Sequence, residues 1–315
     1  MEQEKDLEVT AKKKNKWLKV SVITLVVLLV VLLGASYGLA SYVVTGHPQT
    51  LDEAMKWQQE RYDTTFFTEG DVSDYIVKGY EDYELHTYLL KNENSDGKYV
   101  IISHGYTDNH IGSLKYARIY YNLGFNCIIY DLRGHGENEK HITTYSYLES
   151  KDLVKVVEDT RNRYDDIKLL GLHGESLGAA TTAASMQYKP EVDFAVCDCG
   201  FAEMFNLLSG SGYGAPKAAV KLADIGLHLF YGLSLDDMRP VDALKDNTVP
   251  MMFIHGEWDS LISYDNSERM AEATKGESEV HIVPKAEHAE SVFTDYDSYV
   301  EYVKEFVEKV QDNEN

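Results

Sequence analysis

The sequence is poor in cysteine, in proline and in positive charge. Its three cysteines, Cys127, Cys197 and Cys199, lie in or just after predicted buried strands, and their number and spacing fit neither a disulfide framework nor a Cys-x-x-Cys metal pair. Only 6 prolines occur in 315 residues, with no long Ser/Gly/Pro tract, which argues against domains joined by flexible linkers. The sequence also lacks metal-ligand spacing and a cofactor fingerprint, so we expect no metal and no cofactor.

The shortage of positive charge is uneven along the chain. The formal net charge is −22, but residues 1–44 hold 6 Lys and 4 Asp/Glu, so residues 45–315 hold 24 basic and 48 acidic side chains. Such an acidic body is repelled by nucleic acid and by anionic surfaces. We therefore expect neither a nucleic-acid partner nor a polyanionic substrate.

One long uncharged stretch, Val20 to Val44, follows the lysine-rich residues 12–16. As a helix, a stretch of this length measures about 37 Å, which is enough to cross a bilayer. The preceding lysines place residues 1–16 in the cytoplasm, 17–44 in the cell membrane as a single-pass anchor, and 45–315 on the extracytoplasmic side. A cleaved signal peptide is the alternative, because small residues at 38–40 suit a peptidase.

Beyond residue 70, short apolar runs alternate with helical patterns. The pattern predicts strands at 98–103, 125–130, 167–172, 192–197, 249–254 and 279–283, and helices at 112–123 and 150–164. This alternation is typical of an α/β domain with a mostly parallel central sheet and helices on both faces. In such sheets, functional residues gather at the carboxyl ends of the strands. We expect one such domain over residues 45–315.

A segment at about 201–240 interrupts the alternation. Pro216 begins a predicted helix and Gly232 ends it, and the few polar residues of that helix form a narrow stripe on an otherwise apolar surface. Because an apolar helix must pack against something, we expect this segment to form a small helical cap over the mouth of the active site. A helix buried in the core is the alternative.

The pentapeptide Gly174-Glu175-Ser176-Leu177-Gly178 stands between an apolar run and a helix-prone stretch. A Gly-x-Ser-x-Gly at a strand-to-helix turn is typical of a nucleophile elbow, which raises the serine hydroxyl above the sheet edge. Any Cβ at either glycine would crowd so tight a turn. Ser176 is therefore the candidate nucleophile.

A serine nucleophile needs a base within hydrogen-bond distance and an acid that orients the base. Asp259 follows the strand at 249–254, and His288 follows the strand at 279–283. Glu257 is the alternative acid, one that lies closer to its strand, and His281 is a histidine that the pattern places within a strand. The order Ser176, Asp259, His288 is the order found in α/β-hydrolases.

Residues from about 75 to 310 resemble the α/β-hydrolase superfamily, in particular its bacterial membrane-anchored, esterase-like serine hydrolases. Besides the three residues in that order, the segments His104-Gly105-Tyr106 and Asp131-Leu132-Arg133-Gly134-His135-Gly136 look like landmarks of this group.

The resemblance implies that Ser176 attacks the acyl carbon, His288 moves the proton and Asp259 orients His288. It also implies an oxyanion hole formed by the backbone N–H groups of Tyr106 and Leu177. We further expect Asp131 and Arg133 to form a buried ion pair that ties two loops together.

The function expected from this resemblance is hydrolysis of a carboxylic ester of a small or lipophilic substrate. Peptidases of the prolyl-oligopeptidase or aminopeptidase kind share the same fold and the same three residues, as do thioesterases and acyltransferases. A catalytically inactive hydrolase fold used for binding is the alternative from another class, although such proteins usually lack the serine or the histidine. The substrate and the oligomeric state stay open.

Overall fold

The computed structural model describes residues 2–46, 48–210 and 212–314. These residues form two compact units. The sheet unit comprises residues 44–216 and 235–315, and the N-terminal unit comprises residues 1–43 and 217–234.

The described part of the sheet unit contains one sheet of eight strands: β1 Val72–Lys78, β2 Glu84–Leu90, β3 Lys98–Ser103, β4 Asn126–Tyr130, β5 Leu169–Glu175, β6 Phe194–Asp198, β7 Met251–Gly256 and β8 Ser278–Val283. The strands lie in the order β1-β2-β4-β3-β5-β6-β7-β8. The pairs β1–β2 and β2–β4 are antiparallel, and every other neighbouring pair is parallel. The mostly parallel sheet predicted from the alternation is thus confirmed.

The helices in chain order are α1 Glu2–Val44, α2 Leu51–Gln59, α3 Thr65–Thr68, α4 Leu114–Asn122, α5 Tyr147–Arg163, α6 Leu177–Ser185, α7 Met204–Ser209, α8 Lys217–Gly226, α9 Pro240–Ala243, α10 Asp265–Ala273, α11 Ser291–Thr294 and α12 Tyr296–Glu314. A π-helical turn, Leu227–Tyr231, continues α8. Single 3₁₀ turns occur at Tyr80–Asp82, His110–Ser113, Met186–Tyr188 and Leu235–Asp237.

The central strands are covered on both faces. Every residue of β4, β5, β6 and β7 is buried, and successive side chains of a strand point to opposite faces. On one face, the rings of Phe125, Phe194 and Phe306 pack edge to face at centroid separations of 6.1–6.3 Å. Burying each such ring contributes roughly 1.5–3 kcal/mol. This packed sheet is the rigid base on which the loops at the strand ends are held.

The N-terminal unit consists of α1 and the helix that runs from Lys217 to Tyr231. Residues Lys13–Val44 are long and apolar enough to cross a membrane, with a mean hydropathy of 2.7 over an 18-residue window. The predicted helix boundaries at 216 and 232 agree with the structure: α8 begins directly after Pro216, and Gly232 ends the π-helical turn with a φ of +66°. This helix packs against the last turns of α1, where Ser36 Oγ donates to the Leu222 carbonyl at 2.7 Å. Its role as a cap stays a prediction.

Candidate active site

Ser176 lies at the sharp turn between β5 and α6. Its φ of +51° and ψ of −109° are unusual for a residue with a Cβ, and such strain costs of order 1–3 kcal/mol. The flanking glycines allow the turn, because a Cβ on Gly174 would lie 2.2 Å from the Gly178 carbonyl oxygen. One on Gly178 would lie 2.1 Å from the Ser103 carbonyl oxygen. The Ser176 N–H donates to the Asp198 carbonyl at 2.8 Å, which ties the turn to β6.

His288 and Asp259 extend from Ser176 in one chain of hydrogen bonds. His288 Nε2 lies 3.0 Å from Ser176 Oγ, and His288 Nδ1 lies 2.7 Å from Asp259 Oδ2. The three residues come from the loops after β5, β7 and β8, so the carboxyl ends of three parallel strands bring together groups that are 112 and 29 positions apart in sequence. The histidine side chain is 22% exposed and the aspartate side chain is fully buried. The arrangement can pass a proton from the hydroxyl to the imidazole.

Asp259 is held as a carboxylate by four donors. Burial alone raises its pKa, but hydrogen bonds from His255 and His288 and from the backbone of Ile262 lower that pKa well below its usual value. Asp259 Oδ1 accepts from the N–H groups of Leu261 and Ile262 at 2.9 and 2.8 Å. Because the carboxylate stays ionised, Asp259 favours the His288 tautomer that carries its proton on Nδ1.

His255 is a residue that the sequence analysis missed. Its Nε2 lies 2.7 Å from the Ile262 carbonyl and 3.2 Å from Asp259 Oδ2, while its Nδ1 lies 2.7 Å from Ser267 Oγ. It therefore helps to position the acid through the same carboxylate oxygen that His288 contacts. The only available signal was its place near the carboxyl end of β7, four residues before Asp259.

The alternative acid, Glu257, and the second histidine, His281, lie outside this chain of hydrogen bonds. Glu257 is exposed and accepts from the backbone N–H of Lys285 at 3.1 Å. His281 lies within β8, where its ring stacks on Tyr302 at 4.0 Å. Neither side chain takes part in the hydrogen-bonded chain from Ser176.

The backbone of the loop after β3 runs beside Ser176. A Cβ on Gly105 would lie 3.6 Å from the Ser176 Cβ. Among the described residues, the N–H groups of Tyr106 and Leu177 donate to no protein group, so both are free to serve as donors to a substrate oxygen. His104 fixes this loop, since its Nδ1 bonds the Gly105 carbonyl at 2.7 Å and its Nε2 accepts from the Leu132 N–H at 2.9 Å. Burial lowers the pKa of His104 to about 3, so its ring stays neutral.

The prediction that Asp131 and Arg133 form an ion pair with each other is wrong. Arg133 instead donates twice to Asp152 on α5, at 2.7 and 2.8 Å, and Asp131 accepts from His110 at 2.9 Å. Asp131 meets the 3₁₀ turn at His110–Ser113, whereas Arg133 meets α5, so each side chain has its partner on a different element. Both pairs still hold loops at the carboxyl edge of the sheet.

A buried charged network lies under Ser176. Lys115 forms an ion pair with Glu175, and Tyr116 donates to Glu175 at 2.7 Å and to Asp198 at 2.9 Å. Burial, assisted by the charge of Glu175, raises the pKa of Asp198 to about 6. Tyr299 adds a hydrogen bond to Asp198 at 3.0 Å. This network connects the residue before the nucleophile to β6.

Within the described ranges, two groups of side chains have metal-ligand atoms within 4.8 Å of one another, namely Cys199, Asp259 and His288, and His110, Asp131 and Glu137. In both groups a histidine nitrogen and a carboxylate oxygen already bond each other. All three cysteines are free and buried, as the sequence predicts.

Comparison with known proteins agrees with this architecture. Residues 113–313 match the prolyl oligopeptidase family. An uncharacterized protein of Bacillus subtilis, YqkD, is 32% identical over 260 residues, which cover 81% of this chain and 82% of that protein.

Solved structures share the fold at lower identity. The esterase Pf2001 of Pyrococcus furiosus superposes with a TM-score of 0.65 at 19% identity, covering 79% of this chain and 96% of the esterase. Est1E of Butyrivibrio proteoclasticus, solved with ferulic acid bound, gives 0.58 at 18% identity, covering 75% and 98%. The fold is therefore that of the α/β-hydrolases, and the protein is a serine hydrolase. The chain belongs to the prolyl oligopeptidase family.

Proposed function

We propose that this enzyme hydrolyses carboxylic esters of small or lipophilic substrates, with Ser176, His288 and Asp259 as its catalytic triad. The observation that carries the proposal is the unbroken chain of hydrogen bonds from Ser176 Oγ through both ring nitrogens of His288 to Asp259. Geometry of this kind, and not sequence position, is what defines a catalytic triad across unrelated folds.

In the proposed mechanism, Ser176 Oγ attacks the ester carbonyl carbon while His288 Nε2 takes the hydroxyl proton. The N–H groups of Tyr106 and Leu177 stabilise the oxyanion of the tetrahedral intermediate. Asp259 stabilises the imidazolium. The C–O bond to the leaving alcohol then breaks, and His288 returns the proton to that oxygen. Water, activated by the same histidine, hydrolyses the acyl-enzyme and releases the acid.

A peptidase is the second candidate, because the matched family is named for an oligopeptidase. The structural neighbour Pf2001 favours the ester, since it is called an esterase. The chemistry of Ser176 serves either substrate, so the difference lies in the leaving group and in the pocket. Thioesterase or acyl-transfer activity would use the same steps with another leaving group or acceptor.

We further propose that α1 anchors the enzyme in the cell membrane. Its apolar residues, from Val20 to Leu32, are exposed along the helix, as expected of a helix that faces lipid. The lysines before this stretch assign residues 1–16 to the cytoplasm and residues 45–315 to the extracytoplasmic side.

The test is an assay of the full-length protein in detergent against p-nitrophenyl esters of increasing acyl length and against aminoacyl anilides. We expect ester turnover and labelling by a fluorophosphonate probe, both abolished by Ser176→Ala and by His288→Gln. The matched control is His281→Gln, which should keep both. Anilide cleavage without ester turnover would establish the peptidase instead. Labelling that persists in Ser176→Ala would disprove the nucleophile.

A further inference from the structure

The helix from Lys217 to Tyr231 exposes large apolar side chains. Ile225, Leu229 and Phe230 are 51%, 56% and 46% exposed. They lie on consecutive turns of one helix and form a contiguous patch, unlike the isolated exposed apolar residues that occur on every soluble protein. A patch of this kind requires an apolar partner.

The same helix makes backbone contact with the last turns of α1. A Cβ on Gly226 would lie 2.2 Å from the Ser36 carbonyl oxygen, so only glycine permits the observed approach. Ser41 Oγ and the Tyr231 hydroxyl are 2.6 Å apart. Small residues that let two backbones come together, with hydroxyl groups bonded across the contact, are typical of helix pairs in membranes.

The depth of this contact follows from helix geometry. A hydrocarbon layer of about 30 Å is crossed by about 20 helical residues. If the layer begins at Val20, directly after Lys19, it ends near Leu39. The contact with α8 extends from Ser36 to Ser41. It therefore lies at the boundary between hydrocarbon and headgroups on the extracytoplasmic side.

The exposed apolar surface of α8 continues onto α1. The ring of Tyr37, itself 51% exposed, lies 5.2 Å from the ring of Phe230 and 6.4 Å from that of Tyr231. Lys217 and Lys221 are exposed on the same helix and lie one turn apart. An apolar edge beside a basic edge is the pattern of helices that lie in the plane of a membrane surface.

We propose that residues 217–231 are a second membrane-binding element, an interfacial helix that inserts Ile225, Leu229 and Phe230 into the outer leaflet beside α1. Lys217 and Lys221 lie at the level of the lipid headgroups. The inference depends on the proposed membrane insertion of α1, and it makes the bilayer, rather than a protein, the partner of this surface. The N-terminal unit is then held at the membrane by two elements, α1 and residues 217–231.

The experiment measures depth in the full-length protein reconstituted in phosphatidylcholine vesicles. Leu229→Cys is labelled with the environment-sensitive dye NBD, with Leu28→Cys as the marker for the membrane interior and Tyr188→Cys, on the sheet unit, as the matched exposed control. The three native cysteines are buried, and labelling of the unmodified chain measures their background. We expect blue-shifted emission at position 229 and several-fold stronger quenching by spin-labelled lipid there than at position 188.

Each other outcome overturns the inference in a recognisable way. Water-like emission at 229 together with quenching at 28 would leave the anchor in place and remove the second contact. Blue-shifted emission at 229 without quenching by lipid would show that protein, such as a second copy of the chain, covers the surface. Absence of quenching at 28 would remove the anchor as well, while the ester assay would still decide the catalytic proposal separately.

Discussion

Replacing Asp259 by asparagine tests the proposed triad at its most buried member. In the structure, Asp259 Oδ1 accepts two backbone N–H groups, and Oδ2 faces His288 and His255. The amide oxygen of asparagine would keep the two backbone donors. Its NH₂ group would then face the two histidines.

The expected loss of activity follows from the tautomer of His288. An NH₂ group at 2.7 Å from Nδ1 forces that nitrogen to accept, so the ring proton moves to Nε2 and points at Ser176. The imidazole can then no longer take the serine proton. We expect kcat/KM to fall about 10⁴-fold, or about 5.5 kcal/mol of transition-state stabilisation, with little change in KM.

The assay is the hydrolysis of a p-nitrophenyl ester by full-length Asp259→Asn, with thermal unfolding as a check that the variant is folded. Glu257→Gln is the matched control, because Glu257 is exposed two residues earlier in the same loop. The control should stay within about twofold of the unmodified enzyme, the range expected of a surface change. A loss of less than tenfold in Asp259→Asn, or an equal loss in Glu257→Gln, would refute the assigned acid.

Three further predictions concern stability, measured by unfolding of the full-length protein in detergent. Arg133→Met should cost about 3–5 kcal/mol at neutral pH, because it leaves the buried Asp152 carboxylate unpaired; a cost below 1 kcal/mol would contradict the pairing. Asp198 has a raised folded-state pKa of about 6, so its ionisation destabilises the fold above that pH. The unmodified protein should therefore gain up to about 3 kcal/mol relative to Asp198→Asn between about pH 8 and pH 4, and a flat difference would disprove the shift. Gly178→Ala places a Cβ 2.1 Å from the Ser103 carbonyl and should cost about 1–3 kcal/mol together with most of the activity, whereas wild-type behaviour would show that the elbow is not tight.

Local sequence patterns were enough to predict six of the eight described strands of the sheet. The strand predicted at 98–103 agrees with β3, and the strands predicted near 125, 167, 192, 249 and 279 agree with β4 to β8 within two or three residues. These strands could be predicted because a strand buried on both faces is a continuous apolar run. In a helix that packs against the sheet, apolar residues instead recur every three or four positions. The strand-turn-helix context of Ser176 is equally local.

Partners that are distant in the chain could not be predicted in the same way. The sequence offered Asp131 as the partner of Arg133, whereas the fold brings Asp152 of α5 to it. His255 gave no pattern that separates it from other histidines, and its contact with Asp259 exists only because the loop after β7 folds back on itself. A side chain's choice among several chemically suitable partners depends on the direction in which the loops turn.

The sequence by itself determined the α/β alternation, the glycine-flanked turn at Ser176 and the apolar stretch of α1, since each depends on residues within one turn or one strand of each other. Only the tertiary structure decided that His288, rather than His281, lies within hydrogen-bond distance of Ser176, and that Asp259, rather than Glu257, bonds that histidine. It also decided that α8 packs against the end of α1. An apolar surface indicates that something must cover it. It does not identify the partner, because the hydrophobic effect is non-directional.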